Sequence, residues 1–348
     1  MDGAPLIDMV LLASLVVAVT LFFAFTNGFQ DSSATVATMV ACRAATPRTG
    51  VVYSALFGFL GAMLGGSAVA FTIEGLVSVE EPSLLVQILL AAVLSATSWN
   101  LITWRFGLPS SSTHALVGGL VGGGVAGAGA GSIDWGVSAL ATGELTGLTK
   151  ILVFLILSVA IGFAAGYVVK RSSMIALRNA RRTMNGPIRR SQYLTTAILA
   201  FAHGANDGQK QMGIITIALF TGGLIAVQEI PLWVRALVAI AVAVGTVGGG
   251  WKIMKTLGRK IFPLKAIDSL DSQLASSGTI LLSTLAGAPV SSTQVVASSV
   301  MGVGAGERLR MVQWSVGKHM VMSWLLTIPA SALLSALLFN ILRLLMGS

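Results

Sequence analysis

Two aspartates stand where an acidic side chain is expensive. Asp31 and Asp207 end the segments Ala24-Phe25-Thr26-Asn27-Gly28-Phe29-Gln30-Asp31 and Ala200-Phe201-Ala202-His203-Gly204-Ala205-Asn206-Asp207, each inside a long apolar run. A carboxylate placed in a membrane costs about 3 kcal/mol on insertion scales, so its default meaning there is functional. Together with Asn27, Gln30 and Asn206, the two carboxylates offer the hard oxygen ligands that a cation such as Na+ takes. A second pair of segments offers the opposite chemistry. Pro109-Ser110-Ser111-Ser112-Thr113-His114 and Pro289-Val290-Ser291-Ser292-Thr293-Gln294 each read as a helix start. Proline suits the first turn, where its missing N–H is not needed, and serine and threonine are favoured caps. The free N–H groups and the positive end of the helix dipole attract anions. Ser111, Ser112, Thr113, Ser291, Ser292 and Thr293 are therefore candidate donors to a tetrahedral oxyanion, with Asp31, Asp207, Gln30 and Asn206 as further candidate contacts to it.

Carboxylates beside an anion site conflict unless a cation binds too. Na+ held by Asn27, Asp31, Asn206 and Asp207 would offset the anion and couple the two binding events. A proton would do the same. A carboxylate also accepts a hydrogen bond from the P–OH of phosphate, a group sulfate lacks. Sites built to bond a hydroxyl reject the analogue without it by large factors, so an aspartate in reach of the anion favours phosphate over sulfate.

The elements that must position these groups are membrane helices. The 348 residues are 55% hydrophobic and only 10% charged, with a mean hydropathy of +0.85; soluble domains carry about 25% charged residues. The apolar stretches are continuous, of span length, and do not alternate as β-barrel strands do. The net charge of +9 is concentrated at Arg43 and Arg48 and in Lys170–Arg190, Lys252–Lys265 and Arg308–Lys318. That is the pattern of cytoplasmic loops rather than of a nucleic-acid surface. Loops with Glu80, Glu81, Asp134, Glu144 and Glu229 then lie outside, as do both termini, in a multi-pass protein of the cell membrane. The N-terminus carries Asp2 and Asp8 and no basic residue ahead of the first apolar run, so a retained first span is expected. The single Cys42 forms no internal disulfide. Leu6–Cys42 would measure about 55 Å as one helix, against a hydrocarbon core of about 30 Å, and is expected to break at Thr26–Ser33.

Both motif types recur in the same order, at offsets of 176 (Asp31 to Asp207) and 180 (Thr113 to Thr293). This is an internal duplication: residues 1–169 and 191–348 as two repeats, with 170–190 as a basic cytoplasmic loop between them. Corresponding loops carry opposite charge, the acidic loop at Glu80 matching the basic one at Lys252–Lys265, so the repeats are inverted. Inverted repeats with interrupted helices point to a secondary transporter whose site lies at the repeat interface. The fold expected is all-α and polytopic. The Gly118–Gly131 run reads as close helix packing, and His114 beside three serines does not make a hydrolytic triad. Lys210 pairs with Asp207 or reaches for the interface. Arg105 lies either near the anion or at the inner interface.

At these residues the chain resembles the inorganic phosphate transporter (PiT) family. Asn27-Gly28-Phe29-Gln30-Asp31 and Gly204-Ala205-Asn206-Asp207 look like its duplicated signature, and Phe106–His114 and Pro289–Thr293 resemble its second duplicated element; Gln294 departs from the pattern where the first copy has His114. The resemblance implies cation-coupled phosphate symport, an inverted-repeat fold with re-entrant helical hairpins, often a homodimer, and phosphate and cation sites lined by the Ser/Thr pairs and the two aspartates. Ser83–Ala130 would then be a hairpin rather than two spans. No cofactor is expected beyond co-transported Na+ or H+, and no enzymatic turnover. A permease for sulfate or another oxyanion, a passive anion channel and an intramembrane enzyme are the alternatives.

Overall fold

The computed structural model describes residues 3–108, 110–250 and 254–346; Asp2, Pro109 and Lys252, named above, lie outside them. Apart from one bridge between Val77 and Ile133, the described residues carry no β-structure. The helices are α1 (Gly3–Ala41), α2 (Pro47–Leu64), α3 (Ala68–Glu74), α4 (Pro82–Phe106), α5 (Ser112–Ala128), α6 (Gly147–Ala176), α7 (Asn185–Thr221), α8 (Leu232–Gly248), α9 (Ala266–Leu285), α10 (Ser292–Arg308) and α11 (Trp314–Met346). Among the described residues, four helices are long and apolar enough to cross a membrane: α1 from Met9, α4, α6 and α11. The α2–α3 pair, bent by 70°, adds a fifth if it is one broken span. Leucines and isoleucines such as Leu11, Ile156, Leu325 and Leu333 stand exposed on these helices, as lipid contact requires. The chain is a multi-pass membrane protein.

α7 is too polar to pass as a span, and its burial explains why that is tolerated. Nearly every residue from Thr195 to Leu219 is covered by other helices, among them His203, Asn206, Asp207, Gln209, Lys210 and Gln211. A polar side chain sheathed in protein can be satisfied there instead of facing hydrocarbon.

The expected break in α1 does not occur. The helix runs continuously through Thr26–Ser33, and α7 runs continuously through Gly204. The 39 residues of α1 span roughly 58 Å at 1.5 Å per residue. From Phe23 to Met39 that length is buried almost throughout, so protein covers what lipid could not. Gly28 and Gly204 act as contact points. A Cβ on Gly28 would run into the Val242 carbonyl oxygen of α8, and one on Gly204 into the Gly58 carbonyl oxygen of α2. Real interruptions fall elsewhere: between α2 and α3, between α4 and α5, and between α9 and α10. At the first, Gln209 of α7 bonds the freed backbone, donating to the Gly65 carbonyl at 2.7 Å and accepting from Val69 N at 2.8 Å.

The segment 170–190 is also more helical than a loop, since α6 extends to Ala176 and α7 begins at Asn185. Lys170 is buried against Asp268 and Glu307 rather than solvated. The glycine run of α5 packs as its composition indicates. A Cβ on Gly118 or Gly122 would strike the backbone of α11, and one on Gly119 that of α4.

The two halves of the chain interlock. α1 packs on α8 as α7 packs on α2, α5 packs on α11 as α10 packs on α6, and α4 lies on α1 and α11 as α9 lies on α7 and α6. Most large helix contacts therefore either join the halves or have a counterpart in the other half, and the ends of α5 and α10 are brought to α1 and α7 at the centre.

Candidate functional site

Each helix start of the sequence motifs is preceded by a helix stop. Gly107 closes α4 at φ +67 and Gly287 follows α9 at φ +65, the left-handed conformation glycine adopts at little cost. The freed N–H groups bond back, Leu108 to the Thr103 carbonyl and Ala288 to the Ser283 carbonyl, both at 2.9 Å. A few residues on, Ser111 and Ser291 cap the next helices, their Oγ atoms accepting the backbone N–H groups of His114 (3.2 Å) and Gln294 (3.4 Å). The caps satisfy the third N–H of each helix. The first two, at Ser112 and Thr113 and at Ser292 and Thr293, have no acceptor within their own helix.

These two starts meet. Thr113 donates to the Val290 carbonyl at 3.0 Å, and Gln294 Nε2 lies 3.3 Å from His114 Nδ1. Asp31 of α1 and Asp207 of α7 lie beside the junction, both buried. Asp31 accepts Ser112 on one carboxylate oxygen and Thr293, at 2.8 Å, on the other. One carboxylate thus reads both helix starts. Asn27 Oδ1 shares the Ser112 hydroxyl at 3.3 Å. Asp207 accepts Ser292 at 3.0 Å, and His203 Nδ1 lies 2.9 Å from the same oxygen. Its other oxygen pairs with Lys210. Of the two possibilities for Lys210, the structure realises the ion pair. Its ammonium also donates to Thr113 Oγ1 and to the Val290 carbonyl, each at 2.7 Å.

Gln30 and Asn206 are engaged differently from the aspartates. Asn206 accepts Val290 N at 3.2 Å and donates to Thr284 (2.9 Å) and the Ala288 carbonyl (3.1 Å), holding the α9–α10 tip in place. Gln30 donates to Thr103 of α4 at 3.1 Å. Ser110, in the first motif, bonds Thr327 of α11 at 3.1 Å. Arg105 is exposed on the last turn of α4. Sequence reasoning missed Asn100 and Thr103, which brace α1 from α4, and Thr284 and Gln209. The signal was there for the first two: polar residues three apart on one face of the Ser83–Trp104 run.

Among the described residues, no group of three or more His, Cys, Asp or Glu side chains could hold a metal ion. The chemistry on offer is two carboxylates, one ammonium, hydroxyls and two helix N-termini, enclosed by protein. Such a set suits an oxyanion with a hard monovalent cation.

Comparison with known proteins agrees with the geometry. The sequence profile of the phosphate transporter family matches residues 27–182 and 169–335. A Bacillus subtilis protein named as a probable low-affinity inorganic phosphate transporter is 37% identical over 340 residues, covering 96% of this chain and 98% of its own. A Rhizobium meliloti protein of the same name is 36% identical over 326 residues, covering 93% and 94%. Among solved structures, a sodium-dependent phosphate transporter superposes with a TM-score of 0.81 at 26% identity, covering 96% of this chain and 99% of that one.

Proposed function

The chain belongs to the phosphate transporter family, and we propose that it carries inorganic phosphate inward across the cell membrane together with Na+ or H+, by alternating access at the Asp31–Asp207 site. The observation that carries the reading is the bonding of Asp31 to Ser112 of α5 and to Thr293 of α10. A carboxylate that holds both helix starts together links cation and anion binding in one group. When phosphate enters, the hydroxyls of Ser112, Thr113, Ser292 and Thr293 turn from their present acceptors to its oxygens. The first two N–H groups of α5 and α10 and their dipoles add to the pull. The carboxylates so released take the cation or accept the P–OH. Ser111 and Ser291 keep the helix starts in shape, while Gln30 and Asn206 hold α4 and the α9–α10 tip in register.

The exchanged packing of corresponding helices supports two inverted repeats, and the meeting of the α4–α5 and α9–α10 tips supports re-entrant hairpins entering from opposite faces. The basic ends of α6, α7 and α10 are then cytoplasmic. A cavity of about 430 Å³ lined by Thr72, Asp134, Lys150 and Gly287 reaches the α9–α10 tip from the acidic, outer side. That is the approach an outward-open state would widen. Sodium as the coupling ion is favoured by the likeness in fold to a phosphate transporter that is sodium-dependent.

Purified protein in liposomes, given an imposed Na+ gradient or an imposed pH gradient, tests the reading. Uptake of radiolabelled phosphate driven by one gradient and insensitive to excess sulfate is the expected result. Block by sulfate would make it a general oxyanion permease, and flux indifferent to both gradients would make it a channel.

A further inference from the structure

The two halves of the site carry unequal charge. The repeat counterpart of Lys210 is Ala34, a fully buried methyl group. Lys210 is itself only 1% exposed, and a buried ammonium persists only when paired and hydrogen-bonded. Its three protons meet three oxygens: the carboxylate of Asp207, the hydroxyl of Thr113 and the carbonyl of Val290. A carboxylate, a hydroxyl and a backbone carbonyl are also the ligands a hard monovalent cation selects. Lysine suits the place because its charge is compact and its three donors can each find an acceptor.

The first half presents the corresponding ligands without a corresponding ammonium. By the repeat offsets Asp31, Thr293 and Ser110 correspond to Asp207, Thr113 and Val290, and Thr293 donates to Asp31 at 2.8 Å. No ion pair reaches Asp31 among the described residues. Unpartnered polar atoms lie close to Asp31 in sequence on α1 and on α4, which packs on it. Gln30 Oε1, Asn27 Nδ2 and Asn100 Oδ1 are buried without a hydrogen bond, which native proteins rarely leave unexplained. At the counterpart of Gln30, the oxygen of Asn206 is bonded to Val290 N. The Lys210 ammonium fills the oxygens beside Asp207, whereas Gln30 Oε1 and Asn100 Oδ1 in the first half are oxygens left for a ligand.

We propose that the Lys210 ammonium is a tethered cation filling the second half of the site, so that one mobile cation, bound at Asp31 with Asn27, Gln30 and Asn100 in support, travels with each phosphate. The inference rests on the cation-coupled reading above. With two carboxylates and one fixed ammonium, a single mobile cation makes the carboxylate pair neutral, and a second would find no unpaired carboxylate to hold it.

The test counts cations. Reconstituted wild-type protein is given a fixed inward Na+ gradient, then a fixed pH gradient, and the opposing gradient of radiolabelled phosphate that just stops net uptake is found for each. One cation per phosphate is expected for whichever ion drives uptake. Two or more would overturn the tethered cation and leave cation-coupled transport standing. Flux indifferent to both gradients would overturn the coupling itself, and the inference with it. In Lys210→Ala the count should rise to two and the cation-dependence curve should turn from hyperbolic to sigmoid. A purely structural lysine would move neither, so a transporting Lys210→Ala protein with an unchanged count and curve refutes the proposal. Where that variant fails to fold, the wild-type count decides alone.

Discussion

Two buried lysines in this molecule, Lys170 and Lys210, have opposite surroundings. Lys170, on α6, pairs with Asp268 of α9 and, at 3.0 Å, with Glu307 of α10; Glu307 in turn pairs with Lys265. Its partners are carboxylates on other helices, so the charge ties three elements together at one end of the bundle. Lys210 has its carboxylate three residues away on its own helix, and its remaining bonds go to neutral oxygens of both helix starts. That ion pair holds no helices together by charge. The difference separates a tie rod from a site component: severing Lys170 should cost stability, severing Asp207 should cost transport, and severing Lys210 should change the number of cations carried.

The largest effect that could break this contrast is Asp207→Asn. It removes the partner of an ammonium that is 1% exposed, a loss of about 3 kcal/mol or more. Coupled phosphate uptake should be lost, and the yield of folded protein should fall too. Asp31→Asn strands no lysine and should lose uptake comparably while staying monodisperse in detergent. Near-normal accumulation by either variant would remove the aspartates from the mechanism.

Next comes Lys170→Met. Asp268 is left buried without its ammonium, so stability to denaturant should drop on the order of 3 kcal/mol, while phosphate uptake per folded molecule is retained. A variant as stable as wild type but inactive would show that Lys170 belongs to the transport cycle. Ser292→Ala removes the hydroxyl bonded to Asp207 and should weaken phosphate binding about tenfold, as one charge-assisted hydrogen bond does. Ser110→Ala, whose hydroxyl bonds Thr327 instead, should change it little, and equal effects would misplace the site. The smallest effect belongs to Lys265→Ala. That side chain is 63% exposed, and solvent-screened pairs contribute under about 1 kcal/mol; a melting temperature close to wild type is expected.

Much of the site was legible because its parts are local. Ser111 and Ser291 cap helices where their motifs place caps, and the two aspartates lie in apolar runs at matching positions. The glycines were harder. Gly28 and Gly204 read as breaks when only the chain around them is considered, yet each sits against a carbonyl of a helix from the other half. A glycine that permits contact and one that permits a turn are identical in sequence. The left-handed Gly107 and Gly287, by contrast, each precede a proline and a cap, and that context marks the turn.

Composition, run length and the placement of basic residues determined on their own that this is a polytopic helical membrane protein. Repetition of two motifs in one order marked out its four polar segments. Hydropathy, capping and charge are properties of a residue and its near neighbours, which is why they survive without a fold. Tertiary structure alone decided the partners: Thr293 on Asp31, 262 residues away, Lys210 on Thr113, and Asn206 on the α9–α10 tip. It also decided that the two halves of the site differ in charge. Those contacts depend on how the halves interlock, a long-range arrangement that no local pattern encodes.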